Sequence, residues 1–144
     1  MTIRELQEYL KDRLNAVEAL VQGGCKAFAE DTRDVYDRSA QFVREGGVAV
    51  VVVTPDLNRS GSGTEPGVIP FEGDLVIRCF ELPPVAAENP NTIRALDAAE
   101  IVMHALDGKT FEWKSTRQTA SRDREGNDVI TATVTFGYTG ELRA

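Results

Sequence analysis

The chain has 144 residues and a mass of 15.8 kDa, with 42% apolar and 27% charged residues. Its net charge is −7 and its pI about 4.8. These values suit one globular domain. They argue against a long disordered chain and against direct nucleic-acid binding, which needs a clustered cationic face. The longest apolar run is Val48 to Val53, far short of the ~20 residues a membrane span needs. The charged start Met1-Thr2-Ile3-Arg4-Glu5 lacks the basic-then-apolar pattern of a signal peptide. The expectation is one intracellular domain over 1–144, with a helical N-terminal part over 1–46.

In chain order, Thr2 and Glu5 fit a capping box. Leu6, Leu10, Leu14, Val17 and Val21 recur at helical spacing, and Gly23-Gly24 stops the helix. Cys25 to Glu30 reads as a short strand or a turn. A second helix is expected from Thr32, with Val35, Tyr36, Ala40 and Val43 inward and Gly46-Gly47 as its end. The β-branched run Val48 to Val53 predicts a strand covered on both faces. Residues 55–70, rich in Gly, Pro, Ser and Asn, predict a long exposed loop. Asp74 to Leu82 predicts a strand closed by Pro83-Pro84, and Asn91 to Asp107 a third helix. That helix is expected to turn Ile93, Leu96, Ala99, Met103 and Leu106 inward.

The C-terminal third reads as a hairpin. Phe111 and Trp113 alternate with Glu112 and Lys114. Ile130, Ala132, Val134, Phe136 and Tyr138 alternate with threonines at 131, 133 and 135, with Thr139 on the threonine side. Residues 116–128 are expected to form a second extended loop with a polar tip. The fold class is therefore α+β: a mostly antiparallel sheet flanked by helices, in the order α-α-β-β-α-β-β.

The residues that could carry chemistry are sparse. Cys25, Cys79 and His104 are the only cysteines and histidine, so no Cys/His metal centre is expected. Gly108-Lys109-Thr110 mimics the end of a phosphate-binding loop, but Met103 stands where its first glycine belongs, and the motif closes a helix instead of opening one. Gly61-Ser62-Gly63 precedes no helix that would hold an anion. His104 is the only imidazole base, and Asp97 with Glu100 lies on an alanine-rich helix face with no sign of a pocket. No catalytic residue, no metal and no cofactor are assigned, and the chain is not read as an enzyme. The interface candidates lie in the two polar excursions: Asn58 and Arg59 in the first, Arg117, Arg122 and Arg124 in the second. Arginine favours interfaces because its planar fork makes bidentate contacts.

Several segments together resemble the tail terminator (tail completion) proteins of bacteriophages and prophage tails. These are the Val48 to Val53 strand, the loop with Asn58 and Arg59, Glu81-Leu82-Pro83-Pro84, and Glu88-Asn89-Pro90 before the Thr92 to Leu106 helix. Asp107-Gly108 and the alternating strand Val129 to Tyr138 complete the likeness, over roughly residues 47 to 140. The resemblance implies a virion protein of the tail, made in the host cytoplasm, that forms a homo-hexameric ring. It implies a tail tube protein and a head–tail connector protein as partners, genomic DNA passing through without specific binding, and no membrane. Two alternatives stay open: a head–tail connector or neck protein, and a small-ligand-binding or enzymatic domain with a pocket near Trp113 and His104.

Overall fold

The computed structural model describes residues 2–30, 34–62, 65–86 and 88–143. The elements in chain order are α1 (Ile3–Asn15), α2 (Glu18–Gln22), β1 (Cys25–Ala29), α3 (Val35–Arg44), β2 (Val48–Val52), β3 (Asp56–Arg59) and β4 (Val68–Glu81). They continue with α4 (Pro83–Ala86), α5 (Ala95–Leu106), β5 (Phe111–Arg122) and β6 (Asp128–Arg143). The strands form one sheet in the order β1-β2-β4-β6-β5, with β3 paired to β4 beside that path. Only β1 and β2 run parallel; every other pair is antiparallel. The α+β class expected from the sequence is the observed one.

Strand β4 is the spine. Its C-terminal half pairs with β2, its N-terminal half with β3, and its whole length with β6. Gly73 is what admits β3. A β-carbon there would lie 2.9 Å from the Leu57 Cα and closer still to the Asp56 carbonyl oxygen, so only a residue without one allows that backbone approach.

One face of the sheet carries the larger core. Leu6, Leu10 and Leu14 of α1 and Ala98, Ala99 and Val102 of α5 pack on Val48, Val50, Val52, Leu75, Ile77, Ala132, Val134 and Phe136. The other face holds a smaller cluster beneath α3, built from Phe28, Val35, Val43, Ala49, Val51 and Leu82. Strand β2 is thus buried from both sides, with Val48 to Val52 fully shielded. Each such side chain is worth roughly 1.5–3 kcal/mol as an upper estimate. Helices α3 and α4 cover β1, β2 and the ends of β4 and β6 at Phe80 and Val129, so this face is left open only over the rest of β4 and β6 and over β5.

The local expectations hold in part. Thr2 Oγ1 accepts from the Glu5 amide at 3.1 Å and Glu5 Oε2 from the Thr2 amide at 3.4 Å, closing the capping box. The stripe on β6 is as expected: Ala132, Val134 and Phe136 are fully buried. The first helix, however, breaks at Ala16–Val17 into α1 and α2. The break rotates the stripe, so Leu20 is buried and Val21 is 56% exposed. Gly24, at φ +77°, makes the expected stop, and Cys25–Ala29 is a strand.

Six expectations are corrected. The expected loop over 55–70 contains β3 and the first residues of β4, because backbone pairing to β4 and β6 overrides its polar composition. The expected loop over 116–128 is strand up to Arg122, held by its ladder to β6. The third helix starts at Ala95, not Asn91, since the Ile93 amide is drawn to the Gly23 carbonyl at 3.0 Å. Its inward stripe is Ala95, Ala98, Ala99, Val102 and Leu106, leaving Leu96 46% exposed. Tyr36 also points outward, its hydroxyl donating to Glu30. The second helix was expected from Thr32, which lies outside the described residues. Pro83-Pro84 opens the short helix α4 rather than only ending a strand.

Candidate interaction surface

The two lateral edges of the main sheet path are finished differently. At β1, Asn15, the last residue of α1, faces the outer side of the strand. Its Nδ2 donates to the Ala27 carbonyl at 3.1 Å, and its Oδ1 accepts from the Ala27 amide at 2.8 Å. One side-chain amide thereby satisfies the central donor and acceptor of a five-residue edge.

At β5 the outer amide of Trp113 is held by Asp107 Oδ1 at 2.9 Å. Beyond it the edge runs on without such a device. Asp123 donates to the Asn127 carbonyl at 3.0 Å at the hairpin tip. Alternation along an antiparallel pair then points residues 121, 119, 117 and 115 at β6, and turns the backbone of Ala120, Gln118 and Thr116 outward. Among the described residues these outward groups have no hydrogen-bond partner.

Next to this edge lies the uncovered sheet face. Across it, register aligns Arg78 of β4, Thr133 of β6 and Arg117 of β5 in one row. The rows beside it carry Val76, Thr135 and Ser115, and Phe80, Thr131 and Thr119. Arg78 and Arg117 are exposed, and among the described residues neither is in an ion pair. Towards β3 the same face turns acidic, with Asp56, Glu72 and Asp74 in adjacent positions. Lys114, at the irregularity in β5, reaches back to Asp74 Oδ1 at 2.8 Å. That hydrogen bond and the carboxylate charge raise the Lys114 pKa. A shallow cleft of about 500 Å³ lies here, with Asn58, Asp74, Glu112 and Lys114 in its wall.

The five interface candidates fall into two groups on opposite sides of β4 and β6. Asn58 and Arg59 are on β3, where the Arg59 Nε donates to the Gly61 carbonyl at 2.8 Å. Arg117 and Arg122 are on β5, and Arg124 is in the exposed turn after it. Arg122 faces Asp128 at 3.5 Å. The turn is shaped by Asp123, whose Oδ1 accepts from the amides of Glu125 and Asn127, each at 2.9 Å. The Asn127 amide is the main reason that its carboxyl titrates below the usual range.

No protein-family model matches the chain, and no curated protein is similar to it.

Sequence reasoning missed three features of the molecule. The Asn15 clamp joins residues twelve apart, with no local pattern to announce it. Arg78 gives no signal until pairing places it in one row with Arg117, across Thr133. The third is the Glu81 carboxylate, 1% exposed, which accepts from Arg94 Nε at 3.0 and 3.1 Å. Asp97 in turn accepts from the Arg94 amide at 3.2 Å, so Asp97 caps the start of α5.

The remaining chemistry-bearing residues lie apart. His104 is exposed on α5. Gly108 donates to the Phe111 carbonyl at 2.8 Å in the turn that closes α5. Burial pushes the Cys25 thiol up to about 12 and that of the fully buried Cys79 higher still. Among the described residues no group of three or more His, Cys, Asp or Glu is placed to hold a metal ion. An apolar cleft of about 210 Å³ sits between α3 and β4, lined by Tyr36, Val43, Phe80, Leu82 and Val129. It is separate from Trp113 and His104, where the ligand-binding alternative expects its pocket.

Proposed function

We propose that the chain is a structural protein of a phage-type tail: a terminator that forms a homo-hexameric ring on the head-proximal end of the tail tube. The ring stops tube polymerisation and presents a surface to the head–tail connector protein. In this reading it acts in the virion, after assembly in the host cytoplasm, without a catalytic step. The observation that carries the reading is the inequality of the two sides of the sheet, one edge clamped by Asn15 and the other open along β5. An edge left open on one side only can be covered by an unlike surface of the next copy, and such head-to-tail contacts close into a ring where the rotation between copies divides a full turn. The net charge of −7 also suits a channel through which a phosphate backbone slides without being held.

The test is to add the purified protein to polymerising tail tube protein of its own phage and to measure tube lengths by negative-stain imaging. Tubes that stop growing, each with a ring at one end, support the reading. Tubes whose length distribution is unchanged at saturating protein overturn it.

A further inference from the structure

Strand β3 has an outer edge of its own. Ser60 donates to the Pro70 carbonyl at 3.1 Å, so the alternation turns residues 58 and 56 towards β4 and leaves the backbone of Leu57 and Arg59 outward. Among the described residues these groups have no partner. The sheet thus offers an open edge at β5 and a second, shorter one at β3, on opposite sides of β4 and β6. Through the three antiparallel pairings between them, β3 and β5 run in opposite directions.

The charges on the two edges are complementary. Asp56 and Asn58 share the uncovered face with Glu72 and Asp74 at the β3 side, while Arg117 stands on the same face at the β5 side. The only tryptophan of the chain, Trp113, lies on β5 and is 43% exposed. Aromatic residues beside an open edge are the usual anchors of an interface.

We infer that copies of this chain join by sheet extension: the outer edge of β5 in one copy pairs antiparallel with the outer edge of β3 in the next, with Gln118 opposite Leu57, so that Arg117 and Asp56, and likewise Thr119 and Asn58, become diagonal neighbours. Copies related by a rotation that preserves strand direction meet in this antiparallel sense, and their uncovered faces become one continuous face. The β1 edge is excluded by Asn15. Pairing of β5 with β5 would bring two Arg117 side chains to one face with no carboxylate between them. The inference rests on the homo-oligomeric reading above and names the contact by which it closes.

The experiment combines sedimentation velocity, Trp113 fluorescence and cross-linking. The parent chain is expected to associate with rising concentration while its fluorescence shifts to the blue. Gln118→Pro removes an outward amide that the ladder to β6 does not use, so the circular dichroism should stay that of the parent while association weakens at least tenfold. Arg117→Glu, which tests the same edge without a proline, should weaken association as well, and Arg117→Glu combined with Asp56→Arg should restore it. Thr119→Cys chains mixed with Asn58→Cys chains should give cross-linked dimers with a short bismaleimide, and Thr119→Cys alone should not.

A parent that stays monomeric at all concentrations overturns the inference. So does a Gln118→Pro chain that folds and associates like the parent, or cross-linking of Thr119→Cys to itself. A chain that cross-links 119 to 58 but leaves tube growth untouched keeps this contact and removes the tail reading. A ring that caps tubes without that cross-link does the reverse.

Discussion

The two ends of the sheet show how one chain can close one edge and leave another available. At β1 the strand is five residues long, and Asn15 occupies its central backbone groups. At β5 the strand is twelve residues long, and its outer side is satisfied only near Trp113. The difference does not follow from composition, since both strands mix apolar with charged residues. It follows from what lies alongside: the end of α1 packs beside β1, whereas α5 lies over β4 and β6, touches β5 through Met103 at the Thr116 hydroxyl, and does not cover its outer edge. An unpaired edge is a hazard unless something is meant to cover it, which makes the bare edge the informative one.

The comparison can be broken from its closed side. Leu10→Ala should have the largest effect, because Leu10 is fully buried in the α1 stripe that holds Asn15 in place. A loss of about 2–5 kcal/mol is expected, read as a lowered midpoint in urea. Asn15→Ala comes next. It leaves the amide and carbonyl of the buried Ala27 without partners, which should cost about 1–3 kcal/mol. It should also open a second edge, seen as new association by light scattering. Asn15→Asp retains the acceptor for the Ala27 amide and loses only the donor, so its exposed edge should be half restored; equal behaviour of the two variants would show that the clamp is not what closes β1.

Thr2→Ala is the milder route to the same end. It removes the cap that starts α1 at a cost of roughly 1 kcal/mol. The expected readout is faster hydrogen exchange in the first turn of α1, with the Ala27 amide still protected.

The last effect concerns pH and is absent at neutral pH. The Cys25 thiol is raised to about 12 by burial, against about 8.5 in an unfolded chain. A raised acid favours its neutral form in the folded state. Its contribution is whole below the unfolded pKa and is lost as pH rises from there towards about 12. Cys25→Ala should flatten that alkaline slope in denaturation curves taken from pH 8 to 11. In the parent, maleimide labelling of both native thiols at pH 7.5 should be far slower than that of an introduced surface cysteine.

Legibility in the sequence followed the source of each element's stability. The Thr2–Glu5 cap, the Gly24 stop, β2 and the two faces of β6 were readable because neighbouring side chains define them. β3 and the outer half of β5 were not. Their residues are polar and exposed, and they are strands only because β4 and β6 present backbone partners at the right register. Of the interface candidates, Arg117 shares a row of the open face with Arg78, which the sequence did not suggest. Arg122, by contrast, faces Asp128 across the hairpin. The inward face of α5 is not legible either, because the buried alanines give a weaker hydrophobic signal than the exposed Leu96.

By itself, the sequence determined the α+β class, the doubly covered valine strand, the alternating C-terminal strand and the acidic charge, because these reside in composition and in periods of two and 3.6 residues. Only the tertiary structure decided which edges stay open, which arginines share a face, and that an asparagine at the end of α1 closes β1. Those features depend on backbone groups and on residues far apart in the chain, and backbone hydrogen bonding leaves no residue-type signature for a sequence to display.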